Sequence, residues 1–246
     1  MTSLNKLKIN IYVDGPNINS LSKLNNLREV KGFTTNPTLI SKMNISYSKY
    51  AHKFLKIVKK KSSSFEVIAD NKKNMLKEAL IISKWAKNIY VKIPIVNSKG
   101  YSTEKVIQEL SKNNVNLNIT AIFTKKQLDI VKKSILKETK VIVSIFCGRI
   151  ADAGVNPSDF IHYANKVRKH KKNIKILWAS TRELYNIIEA QKANADIITV
   201  PTNILNKLNL IGKNLEKYSV ETVKMFCEDA IKAGYKPRKD LHATIQ

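Results

Sequence analysis

Short, β-branched apolar runs alternate with amphipathic stretches along most of the chain. The strand-like runs are residues 8–14, 32–36, 64–69, 88–95, 116–123, 140–148, 175–180 and 196–201. Apolar positions at helical spacing mark 75–87, 102–113, 125–136, 159–168 and 182–193, and a last helix is expected over about 220–233, ahead of a polar tail. Runs such as VIVSIF and ADIITV are nearly continuous in apolar residues, as strands covered on both faces of a parallel sheet must be. Eight strands alternating with helices in one uninterrupted stretch predict a parallel (β/α)8 barrel of the α/β class, a single domain over 1–246 with an additional C-terminal helix. A doubly wound open sheet is the competing architecture, but no Gly-rich phosphate fingerprint follows any of the runs.

Composition adds limits rather than detail. At 246 residues and 43% hydrophobic, the chain can bury a substantial core. No apolar run approaches the length of a membrane span, and the start MTSLNKLKINIYVDG passes directly into a strand pattern with no apolar leader. Two cysteines, Cys147 and Cys227, make neither a disulfide framework nor a metal cluster, so a reduced, cytoplasmic protein is expected. The charge is the conspicuous feature: 44 Lys+Arg against 19 Asp+Glu, a formal +25. Such an excess suits nucleic-acid binding. Yet only five of those cations are arginines, the residue whose planar fork reads phosphates and bases best. Lysines spread over many helical patterns read as a solvated surface.

In a barrel of this kind the chemistry belongs to the C-terminal ends of the strands. Those ends carry Asp14, Asn36, Glu66, Lys92, Thr120, Ser144, Phe146, Arg149, Ser180 and Arg182, which a closed barrel would gather around one mouth. Lys92 interrupts the apolar run YVKIPI. It is either a strand-end lysine that snorkels to solvent or a Schiff-base nucleophile. A lysine in water is neutral in only about one molecule in 2,500 at pH 7. Burial in an apolar mouth favours the neutral amine that attacks a ketone. Asp14, Glu66 and Thr120 would move the protons that carbinolamine dehydration and C–C cleavage require. The plainer roles are a turn before Gly15-Pro16 for Asp14 and an outward strand position for Glu66. Arg149, Ser180 and Arg182 are suited to a phosphate, which arginine grips bidentately, and 180–182 is expected to open a helix whose free N–H groups favour an anion; structural salt bridges are the alternative for the arginines. Thr34-Thr35-Asn36-Pro37 reads on its own as a turn into a helix, and Cys147 as a small buried residue.

Assembled in order, GFTTNPTLI, VKIPI, NLNITAIF, SIFCGRIAD and WASTRE resemble the strand-end motifs of the transaldolase family, including its short members and the fructose-6-phosphate aldolases. The resemblance covers about residues 9–237. It implies Lys92 as the imine-forming nucleophile for a three-carbon dihydroxyacetone unit, Asp14 as general acid/base, and Glu66 with Thr120 around a catalytic water. Asn36, Asn118 and Ser144 would hydrogen-bond the bound fragment, beside Phe146, and Arg149, Ser180 and Arg182 would hold the sugar phosphate. It implies no metal and no organic cofactor, because the iminium is the electron sink, and a homo-oligomer, pentamer or decamer, in which the last helix reaches a neighbour. Aldolase-type members are expected to have glutamine and tyrosine where this chain has Glu66 and Phe146, so transfer to an aldehyde acceptor is expected over simple release of dihydroxyacetone. Three departures border the mouth: Gly15-Pro16 after Asp14, Thr181 in place of an aromatic, and Ala153-Gly154 after Asp152. They bear on the acceptor sugar rather than on the imine chemistry.

From a different class, the basic stretches 56–61 and 166–175 would suit a lysine-rich nucleic-acid-binding barrel, although the strand-end pattern makes nucleic acid an unfavoured partner. No membrane partner is expected.

Overall fold

The computed structural model describes residues 7–35, 37–41 and 45–235. The strands are β1 (Asn10–Asp14), β2 (Val30–Thr34), β3 (Ser62–Glu66), β4 (Ile89–Pro94), β5 (Leu117–Ile122), β6 (Val141–Ile145), β7 (Ile174–Trp178) and β8 (Ile197–Val200). All neighbours pair in parallel and β8 returns to β1, closing the barrel that the alternating pattern predicts. The connecting helices include α1 (Ile18–Asn26), α2 (Pro37–Ser41), α3 (Tyr47–Ile57), α4 (Lys72–Ser83), α5 (Glu104–Lys112), α6 (Lys125–Ser134), α7 (Cys147–Asp152), α8 (Ser158–His170), α9 (Asn186–Lys192) and α10 (Thr202–Leu205).

Local chemistry sets where the helices begin. The side chains of Asn17, Ser46 and Asn71 each accept a backbone N–H from the first turn of α1, α3 and α4. Thr124 and Gln127 form a reciprocal capping box at the start of α6. The outward faces of β2 and β3 pack on α3 and on Trp85, in the turn after α4, through an aromatic chain. Phe33 to Phe54, Phe54 to Phe65 and Phe65 to Trp85 have ring centroids 5.5, 5.2 and 5.4 Å apart, all edge-on.

The inward face is different. Tyr12, Ile142 and Ile197 each lie two residues before a polar mouth position, Asp14, Ser144 and Thr199, and so share its side of the strand. With Leu177 and Ala179 they form a buried cluster, against which Tyr90 and Phe146 pack. The Tyr12 ring fits because residue 32 is glycine: a Cβ there would stand 2.6 Å from the Tyr12 ring and 2.8 Å from the Ser62 carbonyl. The barrel axis is therefore filled beneath its C-terminal end.

β1 ends where expected, at Asp14, and the other seven strands stop one to three residues short of the expected C-terminal ends. The apolar runs continue because the first residues after the strands are themselves buried, as at Cys147 and Gly148 at the start of α7. The expected helix over 182–193 is corrected to Asn186–Lys192. The Asn186 side chain accepts the backbone N–H groups of Arg182 and Glu183, which keeps those residues in a turn. The terminal helix starts earlier than expected. Residues 207–235 form a second compact unit, with a 3₁₀ turn (Leu208–Leu210) and α11 (Leu215–Lys232). Asn214 caps α11 by accepting from Lys217 N, and Lys213 pairs with Glu221 and lies 4.1 Å from the Tyr218 ring centroid. None of its residues is buried, and Leu215, Val220, Val223, Phe226 and Ile231 are all exposed.

Candidate active site

The C-terminal strand ends enclose a cavity of about 610 Å³. Of the residues expected there, Asp14, Glu66, Lys92, Thr120, Ser144, Phe146, Arg149, Ser180 and Arg182 all line it. Asn118 lies just below, fully buried, and Asn36 falls outside the described residues.

Strand register brings the charged groups together. Glu66 and Lys92 are paired neighbours across β3 and β4, and Asp14 and Thr34 are paired neighbours across β1 and β2. Lys92 is only 6% exposed, which rules out the snorkelling alternative. Its Nζ stands 3.0 Å from Glu66 Oε2 and donates to the Thr35 carbonyl at 2.8 Å. Glu66 accordingly faces inward, and its backbone carbonyl is anchored by the Tyr47 hydroxyl at 2.8 Å. Asp14 accepts from Thr34 Oγ1 at 2.7 Å. Burial pushes the Asp14 carboxyl above its ordinary range, the Lys92 ammonium and the Thr34 hydrogen bond pull it back, and Glu66 adds to the rise.

The wall from β5 and β6 is a ladder of neutral groups. Ser144 Oγ donates to Asn118 Oδ1 at 2.6 Å, and Asn118 Nδ2 donates to Ser64 Oγ at 3.0 Å. Thr120 Oγ1 is buried with no hydrogen-bond partner, and a buried hydroxyl without a partner is costly unless something fills the place. The strand is irregular just here: Ala121 has φ +57° and the β5–β6 register shifts between Ile119 and Ile122. Above it the Phe146 ring packs on Phe123, centroids 5.5 Å apart, with the Arg149 guanidinium 5.8 Å over its face.

The far side is positively charged and held by backbone contact. Ser180 takes φ +63°, left-handed for a residue with a side chain. Its carbonyl lies so close to Gly148 that a Cβ there would come within 1.6 Å of it. Gly148 N also donates to the Ala179 carbonyl at 3.3 Å. The turns after β6 and β7 are thus interlocked, which sets Arg149, Ser180 and Arg182 on one rim. Arg182 is gripped by Asp152 through Nε at 3.1 Å and Nη2 at 2.6 Å, so the salt-bridge alternative holds for Arg182 in this state. Among the described residues Arg149 makes no salt bridge. The expectation that 180–182 opens a helix is corrected: Arg182 N is already bonded to Asn186 Oδ1. Cys147 is buried, and burial pushes its thiol well up, away from reactivity.

Five contributors lie outside the sequence reading of the site. Thr34 and Thr35 were absorbed into a turn motif, although one bonds Asp14 and the other receives Lys92. Thr199 is the one polar position of β8, and Ser64 stands two residues before Glu66 on the same side of β3; these placements are the signal that points to them. Asp152 gave no signal, because its partner lies 30 residues away.

Solved structures share the fold at low sequence identity. A tryptophan synthase α subunit from Campylobacter jejuni aligns over 86% of this chain and 92% of its own, with a TM-score of 0.53 and 15% identity. A mandelate oxidase variant aligns over 82% of this chain and 67% of its own, with a TM-score of 0.54 and 10% identity. Sequence relatives are more informative. A protein named probable transaldolase from Caldicellulosiruptor saccharolyticus is 32% identical over 200 residues, 80% of this chain and 88% of that one. Another of that name from Thermoanaerobacter sp. is 30% identical over 226 residues, 92% of this chain and 98% of that one. A third, from Methanococcus maripaludis, is 32% identical over 211 residues, covering 84% and 94% respectively. Residues 11–240 match the family described as Transaldolase/Fructose-6-phosphate aldolase. With the barrel, the ordered strand-end motifs and this match in hand, the chain belongs to the transaldolase/fructose-6-phosphate aldolase family.

Proposed function

We propose that the protein is a transaldolase that carries a dihydroxyacetone unit between sugar phosphates as a Schiff base on Lys92. The reaction is sedoheptulose 7-phosphate and glyceraldehyde 3-phosphate to erythrose 4-phosphate and fructose 6-phosphate, in either direction. The observation that carries this reading is the buried Lys92 paired with the half-buried Glu66 in the mouth, with the Asp14 carboxyl beside them. Lys92 gives a proton to Glu66, and the free amine attacks the ketone carbon of the donor. The carbinolamine loses water, with Glu66 and the buried Thr120 hydroxyl holding the water that relays the proton. Asp14 then takes the proton of the adjacent hydroxyl as the C–C bond breaks, and the bonding pair moves into the iminium to leave an enamine. The aldehyde product departs, an acceptor aldehyde enters, and the same steps run in reverse with Asp14 returning the proton. In this reading Ser144, held by Asn118, takes the fragment's hydroxyls, and Arg149, Ser180 and Arg182 take the phosphate.

Borohydride reduction in the presence of fructose 6-phosphate should leave a stable adduct on Lys92. An unmodified enzyme, or an adduct that persists in Lys92→Ala, would overturn the reading. The second reading is an aldolase that releases free dihydroxyacetone. Glu66 and Phe146 favour transfer, since phenylalanine offers no hydroxyl to protonate a released fragment. Product analysis with and without erythrose 4-phosphate separates the two. The nucleic-acid alternative draws less support, because stretches 56–61 and 166–175 fall at the ends of α3 and α8 and in the turns leading into β3 and β7, at the opposite end of the strands from the mouth. The protein is further proposed to act in the cytoplasm as a homo-oligomer. The exposed apolar side chains of α11 favour an assembly, and light scattering would measure it.

A further inference from the structure

A buried line of hydroxyls runs behind Asp14, and counting its protons gives it a direction. Thr34 Oγ1 lies 2.7 Å from Asp14 Oδ1 and 2.6 Å from Thr199 Oγ1. Thr34 and Thr199 are 3% and 4% exposed. A threonine hydroxyl carries a single proton, whereas an ionised carboxylate only accepts. While Asp14 is ionised, the Thr34 proton is committed to it. The contact between the two hydroxyls is then a hydrogen bond only if Thr199 is the donor. Both links point towards Asp14, and each donor is polarised by the one behind it. A proton placed on the Asp14 oxygen that faces Thr34 reverses the line. Thr34 must then donate to Thr199, whose own proton finds no other partner among the described residues and is left to the open mouth.

The position of Thr199 is fixed independently of this contact. It is held in β8 opposite Tyr12 of β1, and its carbonyl accepts from Thr181 Oγ1 at 2.7 Å. We propose that Thr199 is a positioning residue for Asp14: by donating to Thr34, it keeps the Thr34 proton on Asp14 and holds that side chain as the carboxylate which accepts a substrate hydroxyl proton. The catalytic meaning of this rests on the Schiff-base reading above, but the hydrogen-bond line does not.

The charged and titratable groups facing Asp14 are Lys92 from β4, Glu66 from β3 and the Tyr50 phenol from α3. None is altered by a change at position 199, so a displaced titration reports the hydroxyl itself. Thr199→Val keeps the shape and removes the hydroxyl; Thr199→Ser keeps the hydroxyl and removes a methyl. With carboxyl-¹³C aspartate label and the Asp14 resonance assigned from Asp14→Asn, an NMR titration reads the carboxyl directly. The midpoint should move up in Thr199→Val, return towards wild type in Thr199→Ser, and move further in Thr34→Val. On the acid limb of the pH profile, kcat/KM should fall by about three- to tenfold in Thr199→Val, the worth of one hydrogen bond. Thermal melts check that each variant is folded. A Thr199→Val protein whose Asp14 titrates with wild type, or a Thr199→Ser protein displaced as far as Thr199→Val, overturns the proposal. Failure of the Schiff-base reading is a separate result, seen as the missing Lys92 adduct, and the carboxyl titration still decides the role of Thr199.

Discussion

Replacing Gly148 by alanine tests how the anion rim is built. The added Cβ would stand 1.6 Å from the Ser180 carbonyl oxygen, 2.8 Å from its carbon and 3.2 Å from Arg182 Cγ. A carbon and an oxygen rest comfortably at about 3.3 Å, so the two turns must part by roughly 1.7 Å. The obstacle is backbone rather than the end of a flexible side chain. Ser180 is already in a left-handed conformation that costs a residue with a side chain about 1–2 kcal/mol. Overpacking of this kind costs about 1–3 kcal/mol. For a chain of this size, about 2 kcal/mol corresponds to a fall in Tm of about 4–8 °C. The displacement carries Ser180 and Arg182 away from Arg149, and a misplacement of about 1 Å can cost up to a hundredfold in a positioned reaction. The expected outcome is a lowered Tm by calorimetry and a KM for sugar phosphates raised at least about tenfold. Borohydride trapping of unphosphorylated dihydroxyacetone on Lys92 should continue. A Gly148→Ala protein that melts with wild type and keeps its KM would refute the claim that this contact places the rim.

Other perturbations separate the remaining roles. Asp14→Asn should raise Tm at neutral pH: burial raises the folded-state carboxyl above its unfolded value, so stability present below the ordinary carboxylate range is lost as pH rises through the raised value. Melts from pH 3 to 8 should show the advantage of the variant shrinking towards the acid end, and an advantage independent of pH would refute the linkage. Arg182→Lys keeps the charge but loses the fork that holds Asp152, so KM for phosphorylated sugars should rise about tenfold while trapping of dihydroxyacetone is unchanged. Arg168 pairs with Asp196, which also accepts Ile176 N at 2.7 Å, at the opposite end of the strands from the mouth. Arg168→Ala should cost about 1 kcal/mol and about 2–4 °C in Tm with kinetics intact; altered kcat/KM would show that the two ends of the barrel communicate.

The fold and the charged centre were legible because both depend on periodicities within single strands. Lys92 and Glu66 interrupt apolar runs at inward positions, and parallel pairing then forces them together. Boundaries were less legible. The run through Phe146 and Cys147 stays apolar after β6 ends, since a mouth turn packed on its neighbour is as buried as a strand. The helix α1, INSLSKLNN, buries only Leu21 and Leu24 and has too few apolar positions to declare a period. Arg182 reads as the first residue of a helix from sequence, but its N–H is taken by the Asn186 side chain. Contacts such as Arg182–Asp152 and Thr34–Thr199 are invisible in one sequence, because which polar side chains meet depends on the closure of the barrel.

The filled axis also has a kinetic consequence. With Tyr12, Ile142 and Ile197 packed below the mouth and Leu177 in its floor, the described residues close the barrel axis beneath the cavity. On the proposed reading, a leaving aldehyde and an incoming one share this opening and the Arg149 rim. If transfer runs through Lys92 as proposed, the first product has to vacate before the acceptor docks, and a substituted-enzyme order with parallel lines in double-reciprocal plots is expected. On that reading the loaded lysine waits in a blind chamber, where the lifetime of the carried fragment is set by competition between the next aldehyde and water arriving through one door.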